Sequence, residues 1–105
     1  MNQVVLTGKL EDKIVKDNHT LLKIRVLDEG LKTTYLIRCS VFGSVETYCN
    51  SELTTNDEVI VLGRLVGKMM KTDTGYLYYT EVRVRYINKL EQMSYGRYNE
   101  QQNDK

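Results

Sequence analysis

Positively charged and aromatic side chains alternate along two segments of the sequence. One runs from Arg38 to Phe42, and the other covers residues 63–89, which hold six Lys or Arg residues against two Asp or Glu. Cations neutralise backbone phosphates and release their counterions, while aromatic rings stack on bases at about 1–3 kcal/mol per base. This combination favours binding of a polyanion that exposes its bases, namely a single-stranded nucleic acid.

Most of the residues that could make such contacts lie at outward positions of predicted strands or near their ends. Charge comes from Lys23, Arg25, Arg38, Arg64, Lys68, Lys71 and Arg83, and rings come from Phe42, Tyr76, Tyr78 and Tyr79. The alternative for the charges is a solvated strand face that protects a sheet edge. For Phe42 the alternative is a core position at a strand end, and for each tyrosine it is ordinary packing.

The total charge hides this pattern. The chain has 105 residues, of which 15 are Lys or Arg and 14 are Asp or Glu, for a formal net charge of +1. Residues 44–58 carry four acidic and no basic residues, whereas residues 63–89 carry an excess of four positive charges. The two regions cancel in the sum but not in space, so the chain is compatible with a polyanionic ligand that salt displaces easily.

Membrane and metal-binding proteins are disfavoured. The longest aliphatic run, residues 59–62, is far short of the ~20 residues that span a bilayer. Residues 1–9 do not resemble a signal peptide, so we expect a cytoplasmic, nucleoid-associated protein with reduced thiols at Cys39 and Cys49. Because His19 is the one histidine and no C-x-x-C spacing occurs, we expect no zinc, no other metal and no cofactor.

Catalysis is the weakest interpretation. Glu81 and Asp73 lie among basic residues rather than in a carboxylate cluster that could hold a divalent cation. His19 lies in a predicted turn without a paired nucleophile, where a histidine is ordinarily solvated. We therefore expect no catalytic residues and no enzyme activity.

Alternation of apolar and polar residues predicts five β-strands. The predicted inward positions are Val4, Leu6, Leu10, Leu22, Ile24, Val26, Tyr35, Ile37, Cys39, Val41, Val59, Val61, Gly63, Leu65, Tyr78, Thr80, Val82 and Val84. Gly8 is expected at a bend or bulge of the first strand. The Asp-Thr-Gly sequence at residues 73–75 predicts the tip of a long hairpin that joins the last two strands.

One helix is predicted between the third and fourth strands. Apolar residues at helical spacing place it from Ser44 to about Leu53, with Ser44 as its N-cap. This order predicts an all-β fold, a five-stranded OB-fold Greek-key barrel with one α-helix, and the helix argues against an SH3-like barrel. We assign residues 1–90 to this one domain and residues 91–105 to a short disordered polar tail.

Two apolar residues point away from the predicted core. Ile60 and Leu62 alternate with the inward Val59 and Val61, so a small barrel leaves them on its outer surface. Exposed apolar pairs on a sheet mark interfaces, and we predict a contact between subunits. Cover by the helix or the tail is the alternative.

Five segments carry a family resemblance. They are NQVVLTGKL at residues 2–10, RCSVFG at 38–43, VIVLGRL at 59–65, TDTG at 72–75 and YTEVRV at 79–84. In this order and spacing they resemble the bacterial single-stranded DNA-binding protein (SSB) family over residues 2–90. The resemblance implies a sequence-nonspecific single-stranded DNA-binding protein that acts in replication, recombination or repair.

The resemblance also implies roles for residues. Phe42 falls on the family's stacking phenylalanine with Arg38 beside it, and Met70 and Leu36 fall at or near positions that are often stacking tryptophans. Since the chain has no Trp, these two positions stack more weakly and the hairpin tyrosines take a larger share. The full set of candidate DNA-binding residues is Lys23, Arg25, Leu36, Arg38, Phe42, Arg64, Lys68, Met70, Lys71, Tyr76, Tyr78, Tyr79 and Arg83.

Assembly and partners follow from the same resemblance. It implies a homotetramer with contacts on the first strand, at Val5, and on the fourth strand, at Ile60 and Leu62. It implies replication or recombination proteins as partners, although the family's acidic C-terminal tip has no counterpart at residues 102–105. The alternative is a dimeric protein-interaction module similar to primosomal replication protein N, with DNA binding secondary. RNA in place of DNA stays open, because stacking tolerates either sugar.

Overall fold

The computed structural model describes residues 1–90, which form a closed five-stranded barrel with one helix. Its elements are β1 (Val4–Val15), β2 (Thr20–Asp28), β3 (Thr33–Val41), α1 (Gly43–Glu52), β4 (Glu58–Thr72) and β5 (Gly75–Lys89). The strand order is β1-β2-β3-β5-β4, and β1 closes the barrel on β4, which confirms the predicted OB-fold. The predicted tail, residues 91–105, lies outside the described residues.

Alternation along the strands builds the core, and α1 adds Cys49 and its C-cap residue Leu53 to it. The buried apolar cluster consists of Leu10, Leu22, Ile24, Cys39, Val41, Cys49, Leu53, Val59, Val61, Val82, Val84 and Ile87. Among the described residues, 1–90, the helix α1 is too short and too polar to cross a lipid bilayer.

Four of the predicted inward positions are wrong, because they lie where the sheet has no core to cover. The exposed residues are Tyr35, Leu65, Tyr78 and Thr80. β1 pairs with β4 only as far as Gly63, and β3 pairs with β5 only at Val82 and Arg83, whereas β4 and β5 continue together to the hairpin turn. Beyond those points the two long strands form a two-stranded ribbon with both sides open.

The barrel closes unevenly around its circumference. β3 and β5 are parallel and meet at two register pairs, Cys39 with Val82 and Ser40 with Arg83. β4 and β5, in contrast, pair along nearly their whole length. The β3–β5 junction is therefore the short seam of the barrel, and Phe42 follows two residues after Ser40 on the chain.

Two extra residues interrupt the alternation. Glu11 is the extra residue on β1, three positions beyond Gly8, where the sequence predicted a bend or bulge. Gly8 instead permits close strand approach, because a Cβ there would lie 2.5 Å from the carbonyl oxygen of Arg25. Arg85 is the extra residue on β5, facing the step between Leu62 and Gly63. A bulge of this kind redirects the side chains around it.

Helix α1 begins one residue before the sequence predicted. Phe42 rather than Ser44 is the N-cap, with extended backbone (φ −134°, ψ 159°), and its carbonyl accepts a hydrogen bond from the Glu46 amide at 3.2 Å. No side chain caps the first turn, which contains Ser44. Because β3 runs up to Val41, Phe42 is fixed between a strand end and a helix start at the barrel surface.

Candidate nucleic-acid interface

The outward positions of four strands form one continuous surface. Lys23 of β2 lies opposite Arg38 of β3, and on β4 and β5 Arg64 lies opposite Arg83 and Lys68 opposite Tyr79. Antiparallel partners share a side of the sheet, and the seam joins β3 to β5 beside Arg83. We call this surface the basic face, and it consists of Lys23, Arg38, Phe42, Arg64, Lys68, Tyr79 and Arg83.

Cations and rings are in contact on the basic face. The guanidinium carbon of Arg83 lies 4.4 Å from the centroid of the Phe42 ring, and that of Arg38 lies 5.2 Å from the Tyr79 ring. Cation–π contacts of this kind hold a planar charged group against an aromatic one. The cations and rings that the sequence predicted to lie together therefore form two pairs on the basic face.

His19 joins the basic face, which the sequence did not predict. Its imidazole stacks on the Phe42 ring with centroids 4.9 Å apart and planes inclined by 18°. The expectation of a solvated turn histidine is wrong, because Thr20 pairs with Val41 and so brings the preceding His19 beside the following Phe42. The strand register is the signal that identifies it.

A buried carboxylate lies within this cationic surface. Glu81 is only 5% exposed, and its Oε1 lies 3.9 Å from the Nε of Arg38. The Nε atoms of Arg38 and Arg83 are buried and have no hydrogen-bond partner among residues 1–90. Glu81 thus offsets part of the charge of Arg38, while Arg83 keeps its charge without an acidic partner in the described part of the chain.

Arg25 and Leu36 lie at the margin of this surface. The Arg25 Nε–H donates to Glu11 on β1, and its Nη1 donates to Thr34 at 3.0 Å. The hydrogen bond from Arg25 holds the pKa of Glu11 below its usual value, and Glu11 in turn raises the pKa of Arg25. Exposed ion pairs contribute little to stability. Leu36 is the register partner of Arg25 and is exposed.

The candidate residues on the hairpin divide between the two sides of the ribbon. Met70 lies two residues after Lys68 on β4 and therefore shares the side of the basic face. Lys71 lies opposite Tyr76, and Tyr78 lies opposite Met69, on the reverse side. All of these reverse-side residues are exposed. The ribbon thus carries two separate sets of candidate contacts.

Comparison with known proteins agrees with this architecture. No protein-family model matches the chain, and neither does any curated protein. Two crystal structures of the mitochondrial single-stranded DNA-binding protein Rim1 from S. cerevisiae match it with a TM-score of 0.67 at 13% and 14% identity. Each match covers 84% of this chain and 93% of the Rim1 chain. The chain has the SSB fold. At these identities the likeness concerns the fold, as the sequence resemblance predicted.

An apolar strip lies on the outer surface of the SSB-fold barrel, next to Arg64 along β4. Val5 of β1 lies opposite Leu62 of β4, which in turn lies opposite Tyr86 of β5. Val5 is 59% exposed and Tyr86 is 44% exposed, while Ile60 and Leu62 are half-buried. The three residues predicted as an interface therefore share one outward surface.

The two cysteines of the SSB-fold barrel have low reactivity. Both are free and buried, and burial raises the pKa of Cys39 to about 12 and that of Cys49 to about 11. Thiols with such pKa values stay protonated at neutral pH and are poor nucleophiles. Within residues 1–90, no three His, Cys, Asp or Glu side chains are grouped so that they could hold a metal ion.

Proposed function

We propose that the chain binds single-stranded DNA without sequence preference through the basic face. The observation that carries the proposal is the pairing of Arg83 with Phe42 at 4.4 Å and of Arg38 with Tyr79 at 5.2 Å. Every base has a π-face and every nucleotide has a phosphate, so ring-and-cation contacts bind any sequence. We infer a role in DNA replication, recombination or repair, in which single strands are exposed.

The fold and the charge distribution support the proposal. Rim1, whose structures match this chain over 84% of its length, is a single-stranded DNA-binding protein. The basic face carries Lys23, Arg38, Arg64, Lys68 and Arg83, with Glu81 as a partly neutralised carboxylate beside them. Met70 extends the same side of the ribbon and offers a polarisable thioether to a base.

Salt titration of binding to oligo-dT tests the proposal. We expect the logarithm of the association constant to fall linearly with the logarithm of salt concentration, with a slope of about −0.7 per phosphate contacted. Four phosphate contacts give a slope near −3, or about a fiftyfold loss of affinity between 50 and 200 mM salt. Fluorescence anisotropy of a labelled dT oligonucleotide measures this directly.

Two matched ligands make the titration specific. A duplex of equal length buries its bases and should bind far more weakly, and oligo-rU reports the tolerance for ribose. Absence of binding to oligo-dT, or equal affinity for the duplex, would contradict the proposal. A flat salt dependence would remove the phosphate contacts from it.

We infer that the chain assembles through the apolar strip of Val5, Ile60 and Leu62 as a homotetramer. Burial of the strip removes exposed apolar surface from water, which favours association. Light scattering should give four times the chain mass, and Leu62→Glu should lower that mass. A stable dimer would instead favour the alternative of a protein-interaction module with secondary DNA binding, and a monomer would contradict both.

A further inference from the structure

A cleft of about 480 Å³ lies beside the basic face, between the N-terminal residues and the β4–β5 pair. It is lined by residues 1–3, by Gly63 and Val84, and by three arginines, Arg64, Arg83 and Arg85. Arg85 is the extra residue of the β5 bulge, and it was not among the candidates predicted from the sequence. Arg83 and Arg85 are two residues apart on β5 and share a side of the strand, and Arg83 faces Arg64 across the β4–β5 pair.

Asn2 fixes one wall of the cleft. Its side-chain amide donates to the carbonyl of Leu65 at 2.8 Å and accepts from the amide of the same residue at 2.8 Å. This two-point contact pairs the segment with β4 as a strand would. The N-terminal wall of the cleft is therefore held in place by two hydrogen bonds to β4.

The charges in the cleft are unbalanced within residues 1–90. Arg64 and Arg83 are direct register partners on antiparallel strands, an arrangement in which like charges repel. The ion pairs of the described residues involve Arg25, Arg38 and Lys89, and none of the three cleft arginines. The Nε of Arg83 is also buried without an acceptor among these residues. An anion in the cleft would relieve both defects.

We propose that this cleft is a phosphate-binding subsite for the nucleic-acid strand. Guanidinium groups bind phosphate oxygens bidentately, and three of them border the cleft. Arg83 also contacts the Phe42 ring at 4.4 Å, so a single guanidinium borders both the ring and the cleft. The subsite, which rests on the proposed function, holds the phosphate next to the base that packs against Phe42.

The test compares two double variants of the full chain. R64Q/R85Q removes two cleft charges and leaves Arg83 and Phe42 in place, and K9Q/K32Q removes two charges outside the cleft and the basic face. Calorimetric titration with inorganic pyrophosphate and anisotropy with oligo-dT are measured on both. We expect R64Q/R85Q to weaken both ligands at least about tenfold and to reduce the salt slope by about 0.7, unlike K9Q/K32Q.

Stability provides an independent readout. Because R64Q/R85Q removes Arg64 and with it the repulsion between Arg64 and Arg83, its melting temperature should equal or exceed that of the wild type, whereas loss of residues with a purely structural role would lower it. If this variant does not fold, R64K/R85K replaces it. That variant keeps the charges but loses the planar forks, so it should weaken pyrophosphate binding while the salt slope for oligo-dT stays unchanged.

The two proposals fail in different ways. If the wild type binds oligo-dT and R64Q/R85Q matches K9Q/K32Q in affinity and salt slope, the subsite is overturned and the proposed function stands. A 5′-phosphorylated oligo-dT that alone shows the R64Q/R85Q effect would assign the cleft to a terminal phosphate instead of an internal one. If the wild type does not bind oligo-dT at all, both proposals are overturned.

Discussion

Replacing Gly63 with alanine is expected to lower the free energy of unfolding by about 3 kcal/mol or more. A Cβ at Gly63 would overlap the carbonyl oxygen of Arg83 and lie 3.0 Å from Cγ1 of Val82. The obstructing atom belongs to the backbone of β5, so it cannot rotate away as a flexible side chain could. Chemical denaturation followed by circular dichroism measures the loss.

Gly67 on the same strand provides a matched control. No atom lies within 4 Å of a Cβ built at Gly67, and its backbone is not in the left-handed region. Gly67→Ala should therefore leave stability unchanged or raise it by about 0.4–1 kcal/mol through the entropy of the unfolded chain. Equal losses in the two variants would contradict the steric explanation.

Replacing Phe42 with alanine is expected to weaken binding of single-stranded DNA by about 1–3 kcal/mol. The ring is in contact with the Arg83 guanidinium at 4.4 Å and with the His19 imidazole at 4.9 Å, so its loss removes the centre of the stacking surface. The change removes no charge, so the slope of affinity against salt should stay the same. Anisotropy titrations with oligo-dT at several salt concentrations measure both quantities.

Two conservative variants distinguish the contribution of the aromatic ring to DNA binding from that of side-chain volume. Phe42→Tyr keeps a π-face and should bind nearly as tightly as the wild type, whereas Phe42→Leu keeps apolar bulk without a ring and should resemble Phe42→Ala. Wild-type affinity in Phe42→Ala would exclude Phe42 from the interface. A loss in Phe42→Tyr as large as in Phe42→Ala would point to packing rather than to stacking.

The fold was predictable from sequence because its signals are local. Alternation marks the strands, and a helix between the third and fourth strands distinguishes an OB-fold from other small barrels. The hairpin turn was predicted correctly at residues 73–75, where β4 ends at Thr72 and β5 begins at Gly75. The outward positions of Arg38 and Arg83 followed from the same alternation.

Features of the site that depend on register were not predictable. His19 reaches Phe42 because Thr20 pairs with Val41, a pairing between segments that are distant in the chain. Alternation separates Tyr76 and Tyr78 from Tyr79, but the exposure of Tyr76 and Tyr78 depends on a ribbon that leaves the barrel and opens both its sides. Arg85 shares the outward side of Arg83 by alternation, but the cleft that both line is completed by residues 1–3, whose contact with Leu65 no local pattern predicts.

The short seam between β3 and β5 links binding to the integrity of the barrel. Two register pairs close it, and Phe42 and Arg83 stand on its two sides. A DNA strand that contacts both residues would connect β3 and β5 across the seam, where only two register pairs join them. By thermodynamic linkage, the free energy of binding at that point is added to the free energy that keeps the barrel closed. A DNA strand bound at the seam would therefore also stabilise the closed barrel.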